Sequence, residues 1–539
     1  MAELTADAVS PAVSSGSLKR EIGWTHAFWV ATGVPALVLF TIGAIAATVG
    51  SPSWLVWVIS ILFGFFQAFT YAEIAGMYPD KSGGVAVYGA MAWMPYGKVI
   101  GPVSVWTNWL GWSPVLSIGT SIAAGYILSI LFAADAAINT WTLTLFDLGF
   151  IEKNLTLRIN AAAILGAALI LVCFAIQHRG ILSSARLQTA FAVCSLLPLT
   201  LIGLIPIVTG DMPLSHFAPF VPLAHDGDKI VPGQWDMAGI TLFVGGLFIC
   251  AWSTYGFETA VVYTREFRDP KRDTFRAIFY SGLLCLFMFT VIPLAFQGAL
   301  GLDGMLDPGI YDGSGIAKAM AGMVGAMGLA ANVIVVMLVL TLLLAIMTAM
   351  SGSSRTLYQG SIDGFLPTFL SKVNGHGAPV YAMVADVVFN MLLLLLSDDV
   401  FLLAISNVNY LVFVFLNNNA GWIHRMDRPD WERPYRASAF LLGVAAVLGF
   451  VNMFFIGMGA QSYGHGVLLS GFIATACVIP IFLFRHYVTD RGRFPEILLA
   501  EEHPYGDAKP ILSRAGFLPY LALLGAAAAV IAGNLLSVY

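Results

Sequence analysis

Charged residues are scarce in this 539-residue chain: Asp, Glu, Lys and Arg make up 11% of it, against 58% hydrophobic residues, and the mean hydropathy is +0.82. Soluble globular domains typically carry about 25% charged residues, so the composition excludes one. It indicates a polytopic helical membrane protein. The net charge of -5 is small for so long a chain, and the placement of the charges is therefore more informative than their sum.

Signature motifs of several enzyme classes are also absent. The chain has no HExxH, no paired CxxC, no GxSxG and no GxxxxGK, which leaves metalloprotease, hydrolase and ATPase functions without a motif. The five cysteines all lie in apolar runs, where a cysteine behaves as a small buried hydrophobe. No ring of carboxylates or filter-like repeat favours a channel. We therefore expect no enzyme, no cofactor, no metal and no transport powered by ATP within this chain.

Thirteen apolar runs are long enough for membrane-spanning helices, which need about 20 residues each. We number them helix 1 to helix 13, and they lie near residues 24–49, 54–78, 101–132, 158–177, 185–209, 236–264, 277–301, 324–350, 379–396, 400–423, 437–459, 465–485 and 515–537. The predicted fold class is an all-α polytopic membrane protein with 12 or 13 transmembrane helices, because the thirteenth run is supported by hydropathy alone.

Basic residues gather on one side of these predicted spans. With the N-terminus in the cytoplasm, all 26 Lys and Arg residues fall on the cytoplasmic side except Lys153, Arg158, Lys229 and Lys318. Cytoplasmic segments retain Lys and Arg, so we expect a multi-pass protein of the plasma (inner) membrane with a cytoplasmic N-terminus. Residues 1–22 are polar and rich in Ala and Ser, which predicts a flexible cytoplasmic tail.

Two predicted spans carry polar or Gly/Pro interruptions. That in helix 1 comprises Thr32, Gly33, Val34, Pro35 and Ala36, and that in helix 6 comprises Trp252, Ser253, Thr254, Tyr255 and Gly256, followed by Glu258. Interrupted spans free backbone groups, which membrane proteins tolerate where they line a cavity or lie inside protein. Five helices precede helix 6, so the interruptions hold matching positions in two halves and predict a transporter's binding site. The alternative for helix 6 is a helix merely softened by Gly256.

Four further stretches of sequence point to a family. They are TYAEIAGMYPDKSGGVAVYGA at 70–90, WSTYGFETA at 252–260 with EFRDPKRDTFRAI at 266–278, SSRTLYQGSIDGFLPTFLSKVNGHGAPVYA at 353–382, and RPDWERPYR at 428–436. In this order they resemble the amino acid-polyamine-organocation (APC) permease superfamily, over roughly residues 24–440. The resemblance implies a leucine-transporter-type inverted five-helix repeat: a transporter core at 23–424, formed by helices 1–5 and 6–10, with additional C-terminal helices 11–13 at 425–539.

The same resemblance implies a secondary active transporter. It would move an amino acid or related small amine across the plasma membrane by alternating access, proton-linked or exchanging, with the carboxylate of a zwitterion at helix 1 and its ammonium at helix 6. Helix 1 lacks the family's Gly-Ser-Gly run, so an amine without that carboxylate stays open as a substrate. The alternatives are transport of a nucleobase or other small organic cation and, in another class, a non-transporting nutrient receptor or complex subunit. The expected partners are a small-molecule substrate and the lipid bilayer, with no nucleic acid.

Further residues of the site follow from helices 3 and 6. Asn108 and Trp112 complete the predicted substrate-binding set, although an aromatic stripe at helical spacing is more often packing. Trp252 matches an aromatic gate in the arginine/agmatine exchangers that the chain resembles, and its alternative is packing against lipid. Glu258 is predicted to couple transport to protons, because an isolated carboxylate at bilayer depth tends to be neutralised or paired. Its alternative is a neutral side chain that ties two helices together.

The coupling ion is predicted to be H+ or Na+. Helix 5 lacks the lysine that several proton-linked relatives carry, and Cys194 or Ser195 is expected in its place. Thr348 and Ser351 near the end of helix 8 are therefore candidate sodium ligands. The alternative for both hydroxyls is ordinary bonding to the helix backbone.

Overall fold

The computed structural model describes residues 18–538, apart from 134, 227–228, 312, 314, 497 and 499–510. Most of the predicted tail at 1–22 lies outside the described residues. The last residues of this segment are bonded to the end of helix 6. Ile22 forms a parallel β-bridge with Phe267, and the amides of Glu21 and Ile22 both donate to the carbonyl of Glu266.

Helices form at all thirteen predicted positions. Within the described residues, eleven are long and apolar enough to cross a membrane: Trp24–Val49, Ser53–Gly76, Ile100–Leu131, Ile181–Thr209, Met237–Glu266, Pro270–Met305, Leu329–Ile362, Asp399–Asp427, Ala439–Tyr463, Val467–Thr489 and Leu518–Leu536. Two apolar helices are shorter, helix 4 at Ala161–Gln177 and helix 9 at Val380–Leu393. The prediction of an all-α polytopic membrane protein is thereby confirmed.

Several of these helices are interrupted. Their segments are Trp24–Ala31, Gly33–Ala36 and Val38–Val49 in helix 1; Ile100–Trp112 and Val115–Leu131 in helix 3; Ile181–Phe191, Ala192–Leu196, Leu197–Gly203 and Ile205–Thr209 in helix 5; Met237–Cys250, Ala251–Thr254, Tyr255–Thr259 and Ala260–Glu266 in helix 6; Ala439–Gly459 and Ala460–Tyr463 in helix 11; and Val467–Ala476, Val478–Leu483 and Phe484–Thr489 in helix 12. Helix 7 is kinked at Gly301, whose φ of 67° suits a residue without a side chain.

Short elements fill the connections. Strand β1 (Thr142–Asp147) pairs with β2 (Thr156–Asn160) after helix 3, and β3 (Leu223–Asp226) pairs with β4 (Lys229–Pro232) after helix 5, both antiparallel. The short helices are Val85–Trp93, Ala137–Thr140, Leu214–Phe217, Pro308–Tyr311, Ile316–Met323 and Thr368–Ser371.

The two halves pack with corresponding partners. Helix 1 contacts helix 8, where the Thr348 hydroxyl lies 2.6 Å from the carbonyl oxygen of Val30, and helix 6 contacts helix 3, where Asn108 bonds Glu258. If helices 1–5 and 6–10 are repeats, helix 6 corresponds to helix 1 and helix 3 to helix 8. Helices 1 and 6, which were predicted to be interrupted, therefore meet equivalent partners, as the inverted repeat predicts.

The C-terminal helices pack on the outside of this arrangement. Helix 11 contacts helix 10, and helix 13 contacts helix 11 so closely that a Cβ at Gly457 would lie 2.0 Å from the Val530 carbonyl oxygen. The segment before helix 13 is also fixed, because the Ala515 amide donates to Asp427 at the end of helix 10. The run predicted from hydropathy alone thus forms a packed helix, while the proposed division at 424/425 stays a prediction.

Candidate functional site

The interruption of helix 6 is tighter than the sequence predicts. Ala251–Thr254 and Ala260–Glu266 are 3₁₀ turns on either side of the α-helical turn Tyr255–Thr259. Thr254, Tyr255 and Ala260 all keep right-handed helical backbone angles. In a 3₁₀ turn each amide donates to the carbonyl three residues earlier instead of four. Most amides and carbonyls of the interruption can therefore still bond one another within helix 6. The site is therefore built mainly from side chains.

Helix 1 is interrupted at the predicted place, in a similarly compact form. Helical segments end before Thr32 and before Leu37, and both residues have helical φ with ψ near the end of the helical range. The Thr32 amide and hydroxyl both donate to the Trp29 carbonyl, at 3.3 and 2.6 Å. Thr32 to Ala36 are all buried.

Gly33 allows helix 1 to approach helix 8. A Cβ at this position would lie 2.2 Å from Oγ1 of Thr348, so only glycine fits. Around Oγ1 of Thr348 are three acceptor oxygens: the Val30 carbonyl at 2.6 Å, the Leu344 carbonyl at 2.9 Å and Oε1 of Gln188 at 3.2 Å. One hydroxyl hydrogen serves one acceptor at a time, so helices 1, 5 and 8 meet around an oxygen-rich point.

The helix 5 residue that bonds Thr348 is Gln188. Cys194 is exposed, and Ser195 donates to the Phe191 carbonyl and accepts from Thr341, so which of the two stands in the place of the lysine stays a prediction. Ser351 does not share the hydrogen-bond partners of Thr348. Its hydroxyl donates to Gln177 of helix 4 at 2.9 Å. The π-helical turn at Ala192–Leu196 changes the register of helix 5, which simple helical spacing does not anticipate.

Glu258 lies at the centre of a network between helices 3, 6 and 8. Its side chain is buried, with 1% of the residue exposed. Oε1 accepts from Nε1 of Trp112 at 2.8 Å and from Nδ2 of Asn108 at 3.1 Å, and Thr356 donates to Oδ1 of Asn108 at 3.1 Å. Oε2 has no hydrogen-bond partner among the described residues. Asn108, Trp112 and Glu258, each predicted separately, therefore come together.

Tyrosines complete the surroundings of Glu258. The ring of Tyr255 lies 4.9 Å from that of Trp112 and 3.9 Å from that of Tyr410. Tyr71 of helix 2 joins this aromatic group through Phe413, whose ring centroid lies 6.3 Å from that of Tyr71 and 5.5 Å from that of Tyr410. Tyr410 shares a hydrogen bond of 2.5 Å with Thr254, while the hydroxyls of Tyr71 and Tyr255 have no partner in the described part of the chain.

Sequence reasoning missed Tyr71 and Tyr410. A tyrosine inside an apolar span is the sequence feature that could have pointed to them. Tyr71 begins the Tyr-Ala-Glu motif of helix 2, and Tyr410 follows Asn407 and Asn409 in helix 10. Neither pattern tells which face of its helix meets helix 6.

Trp252 and Ser253 face away from Glu258. The Trp252 ring packs edge-on against Trp57 of helix 2 and Phe289 of helix 7, at centroid distances of 5.7 and 5.3 Å. Ser253 shares a hydrogen bond with Ser60 of helix 2. With 3% of its surface exposed, Trp252 does not pack against lipid, so that alternative is wrong. Gly256 touches helix 7 as well, since a Cβ there would lie 2.0 Å from Sγ of Cys285.

The ends of helices 6 and 8 are tied together beyond the site. Arg355 forms a two-pronged ion pair with Glu266, Nε to Oε1 at 2.5 Å and Nη2 to Oε2 at 3.1 Å, and donates to the Ser351 carbonyl. Lys81 pairs with Asp363 at 3.0 Å. These contacts connect helix 8 to helix 6 and to the segment after helix 2, and the bridge between Ile22 and Phe267 connects the N-terminal segment to the end of helix 6.

The larger cavities lie away from Glu258. One of about 570 Å³ lies between the ends of helices 5 and 7 and residues 308–323, and an apolar one of about 420 Å³ lies between helices 3, 10, 11, 12 and 13. Beside the helix 6 interruption, Ser60, Gln67, Thr254 and Asn452 border a cavity of about 10 Å³, the size needed for roughly one water. The candidate site is the buried Glu258 carboxylate with the phenols that have no partner among the described residues, because a cavity's volume alone does not indicate binding chemistry. Glu258 is 1% exposed, so the site is closed to solvent in this conformation.

Comparison with known proteins agrees with this architecture. The profile of the amino acid permease family matches residues 22–483. The chain belongs to the amino acid permease family. This permease is 26% identical, over 60% of its chain and 62% of the relative, to an uncharacterized transporter of Legionella pneumophila. It is 23% identical to the polyamine transporter PUT1 of Oryza sativa (78% of this chain, 69% of the relative) and 23% identical to the branched-chain amino acid permease BcaP of Bacillus subtilis (83% and 89%).

The match therefore spans 62% of the length of the Legionella transporter and more of the other two. The family is one of transporters, which agrees with the prediction that the chain is not an enzyme. No cluster of three or more His, Cys, Asp or Glu side chains suited to a metal ion occurs among the described residues.

Proposed function

We propose that this permease is a secondary active transporter that carries an amino acid or a related small amine by alternating access, with Glu258 as the group that couples transport to protons. The observation that carries the proposal is a buried carboxylate whose Oε2 has no hydrogen-bond partner in the part of the chain that the structure describes. A buried acceptor without a donor is costly, and such groups mark sites where a proton or a cationic ligand binds.

The substrate class follows from the site and the relatives. Oε2 of Glu258 and the hydroxyls of Tyr71 and Tyr255, which have no partner among the described residues, suit a ligand that donates hydrogen bonds, as an ammonium group does. The aromatic faces of Trp112 and Tyr255 favour a cation beside them. Relatives that carry branched-chain amino acids and polyamines, by their names, support the same class. A nucleobase remains the competing substrate.

Sodium is the second candidate coupling ion. The oxygens around Thr348 come from two backbone carbonyls, one amide side chain and one hydroxyl, and hard cations prefer such ligands. Ser351 does not contribute, because its hydroxyl bonds Gln177. Exchange of two substrates is compatible with either ion.

The proposed location is the plasma membrane, with the N-terminus in the cytoplasm. The uneven distribution of Lys and Arg supports it, and it places the ion pair between Glu266 and Arg355 on the cytoplasmic side of Glu258. Lys19→Cys, in a background with the exposed cysteines replaced (Cys194→Ser, Cys477→Ser) and labelled with a membrane-impermeant maleimide in right-side-out vesicles, tests the orientation. Labelling without permeabilisation would contradict it.

Uptake by proteoliposomes tests the function. The purified permease is reconstituted and supplied with tritiated leucine, putrescine and adenine in turn, each with imposed proton or sodium gradients. We expect accumulation of leucine or putrescine. Accumulation of adenine alone would support the nucleobase alternative. Binding of a probe, seen as a rise in unfolding temperature, without any accumulation would indicate a receptor, since a ligand at 100 times its dissociation constant stabilises by about 2.7 kcal/mol.

Two single substitutions test the site. Tyr255→Ala removes a ring beside Glu258 and should weaken binding of the transported probe. Trp252→Ala removes a ring that contacts helices 2 and 7, so this variant should affect the transport rate more than the affinity. Unchanged affinity and rate in both variants would contradict the placement of the site in helix 6.

A further inference from the structure

Helix 3 bends at Ser113 and Pro114, between its segments Ile100–Trp112 and Val115–Leu131. Proline has no amide hydrogen and disturbs the preceding helical turn, so the bend needs partners from elsewhere. The Ser117 amide donates to Oδ1 of Asn390 on helix 9, at 3.1 Å. Helix 9 thus bonds the backbone just beyond the bend.

A second residue of helix 9 bonds the side chains before the bend. Asp386 is fully buried, and its Oδ1 accepts from Nε1 of Trp109 at 2.9 Å and from Oγ of Ser113 at 2.5 Å. Nδ2 of Asn390 donates to the same Ser113 oxygen at 2.7 Å. Asp386 and Asn390 are four residues apart and therefore share one face of helix 9. We call this pair the helix 9 brace.

The face of helix 3 that meets the brace adjoins the face that meets Glu258. Trp109 and Ser113 bond Asp386, whereas Asn108 and Trp112 bond Glu258. Each pair has the four-residue spacing of one helical face, and the two faces are one residue apart. A rotation or straightening of helix 3 that released one pair would therefore move the other.

Helix 8 repeats this double connection. Its Ser353 donates to Oδ2 of Asp386 at 2.5 Å, and its Thr356 donates to Asn108 at 3.1 Å. Both oxygens of Asp386 are thus bonded, and no ion pair to a cation is found for it among the described residues. In helix 3 and in helix 8, the residues that bond Asp386 therefore lie within one helical turn of the residues that belong to the Glu258 network.

From this geometry we propose that the helix 9 brace fixes the rotation and bend of helix 3 and thereby positions Asn108 and Trp112 against Glu258. Asp386 is a positioning residue, because the hydrogen bonds of its carboxylate within the described part of the chain go to helices 3 and 8 and none goes to Glu258 or helix 6. The inference rests on the proposed role of Glu258 in transport.

Kinetics in proteoliposomes distinguish positioning from general support of the fold. Asp386→Ala leaves Trp109, Ser113 and Ser353 without their acceptor and should lower kcat/KM for the accumulated probe about tenfold or more, since a small misplacement of a site group has effects of this order. Asp386→Asn keeps an acceptor oxygen in the same shape and should restore most of the loss. Gln297→Ala is the matched control: it removes buried bonds from helix 7 to Ser51 and Ser53, far from helix 3 in the fold, and should leave kcat/KM unchanged.

A double-mutant cycle with Asn108→Ala decides the route of the effect. If the brace acts through Asn108, Asp386→Ala should reduce kcat/KM much less in the Asn108→Ala background than in the wild type. Additive losses, or a loss of the same size in Gln297→Ala and Asp386→Asn as in Asp386→Ala, would overturn the proposal.

The wild type separates this proposal from the proposed function. If it accumulates none of leucine, putrescine and adenine, the proposed function fails, and the brace is then tested by the same cycle measured as unfolding temperature in detergent. Coupled residues should give a combined loss that differs from the sum of the single losses. Losses that simply add would contradict the brace.

Discussion

Glu258 and Asp386 are two carboxylates buried within the spans, and neither forms an ion pair among the described residues, yet their surroundings differ. Both oxygens of Asp386 accept hydrogen bonds, two at Oδ1 and one at Oδ2. Glu258 has two donors at Oε1 and none at Oε2 within the described part of the chain. An unmet acceptor is the costly condition, so we infer that the unpaired oxygen, rather than burial alone, separates a carboxylate that binds a proton or ligand from one that positions neighbouring helices.

Another buried carboxylate, Glu266, extends the comparison because it forms an ion pair with Arg355. Arg355→Ala would leave Glu266 buried and unpaired, and removal of one partner of a buried ion pair costs about 3–5 kcal/mol. We expect this to be the largest loss of stability among the variants considered, measured as unfolding temperature in detergent.

Arg355→Lys serves as the control for that variant. Lysine keeps the positive charge but cannot form the two-pronged contact, so the loss should be smaller than for alanine. An unfolding temperature of Arg355→Ala equal to that of the wild type would mean that the pair contributes nothing to the closed conformation.

Gly111 tests the tight packing around Glu258. A Cβ at this position of helix 3 would lie 2.2 Å from the Tyr255 hydroxyl, so Gly111→Ala must displace that side chain. Overpacking of this kind costs about 1–3 kcal/mol, and uptake should fall because Tyr255 lies beside Trp112.

Gly125→Ala is the matched variant on the same helix. Nothing lies within 4 Å of the position of its Cβ, and alanine in a helix is favoured over glycine by up to about 1 kcal/mol. Equal unfolding temperatures and uptake for the two variants would show that Tyr255 is not held where the structure has it.

The smallest effect is expected at an exposed carboxylate. Asp80 pairs with Arg20 at 2.5 Å, but the side chains are 58% and 41% exposed. Exposed ion pairs contribute about 0–1 kcal/mol, so Asp80→Asn should leave the unfolding temperature and uptake nearly unchanged at moderate salt. A loss comparable with that of Arg355→Ala would contradict the view that burial sets the importance of these carboxylates.

Most of the fold could be predicted from the sequence, because hydropathy determines which segments insert into the membrane as helices. The apolar runs predicted the positions of all thirteen helices, and Pro35 and Gly256 marked two of the interrupted helices, 1 and 6. The backbone conformation of the interruptions could not be predicted. A 3₁₀ turn and an α-helical turn of the same residues differ only in the carbonyl to which each amide donates.

The site was only partly predictable. Glu258, Asn108 and Trp112 were identified from their chemistry and do meet, whereas Gln188, Tyr71 and Tyr410 were missed because helical rotation and the π-turn of helix 5 decide which side chains face inward. Asp386 gave no signal either: a single Asp in helix 9 does not show that three donors from two other helices converge on it.

The coupling role of Glu258 is tested most directly by uptake driven by a proton gradient, in wild type and Glu258→Gln. Glutamine keeps an oxygen for Asn108 and Trp112 but, like a protonated glutamate, carries no charge. We predict that the variant still binds the transported probe in a thermal-shift measurement, yet no longer accumulates it when a proton gradient is imposed, while the wild type accumulates it without sodium. Proton-driven accumulation by Glu258→Gln at the wild-type level, or an absolute sodium requirement in the wild type, would contradict the proposed role.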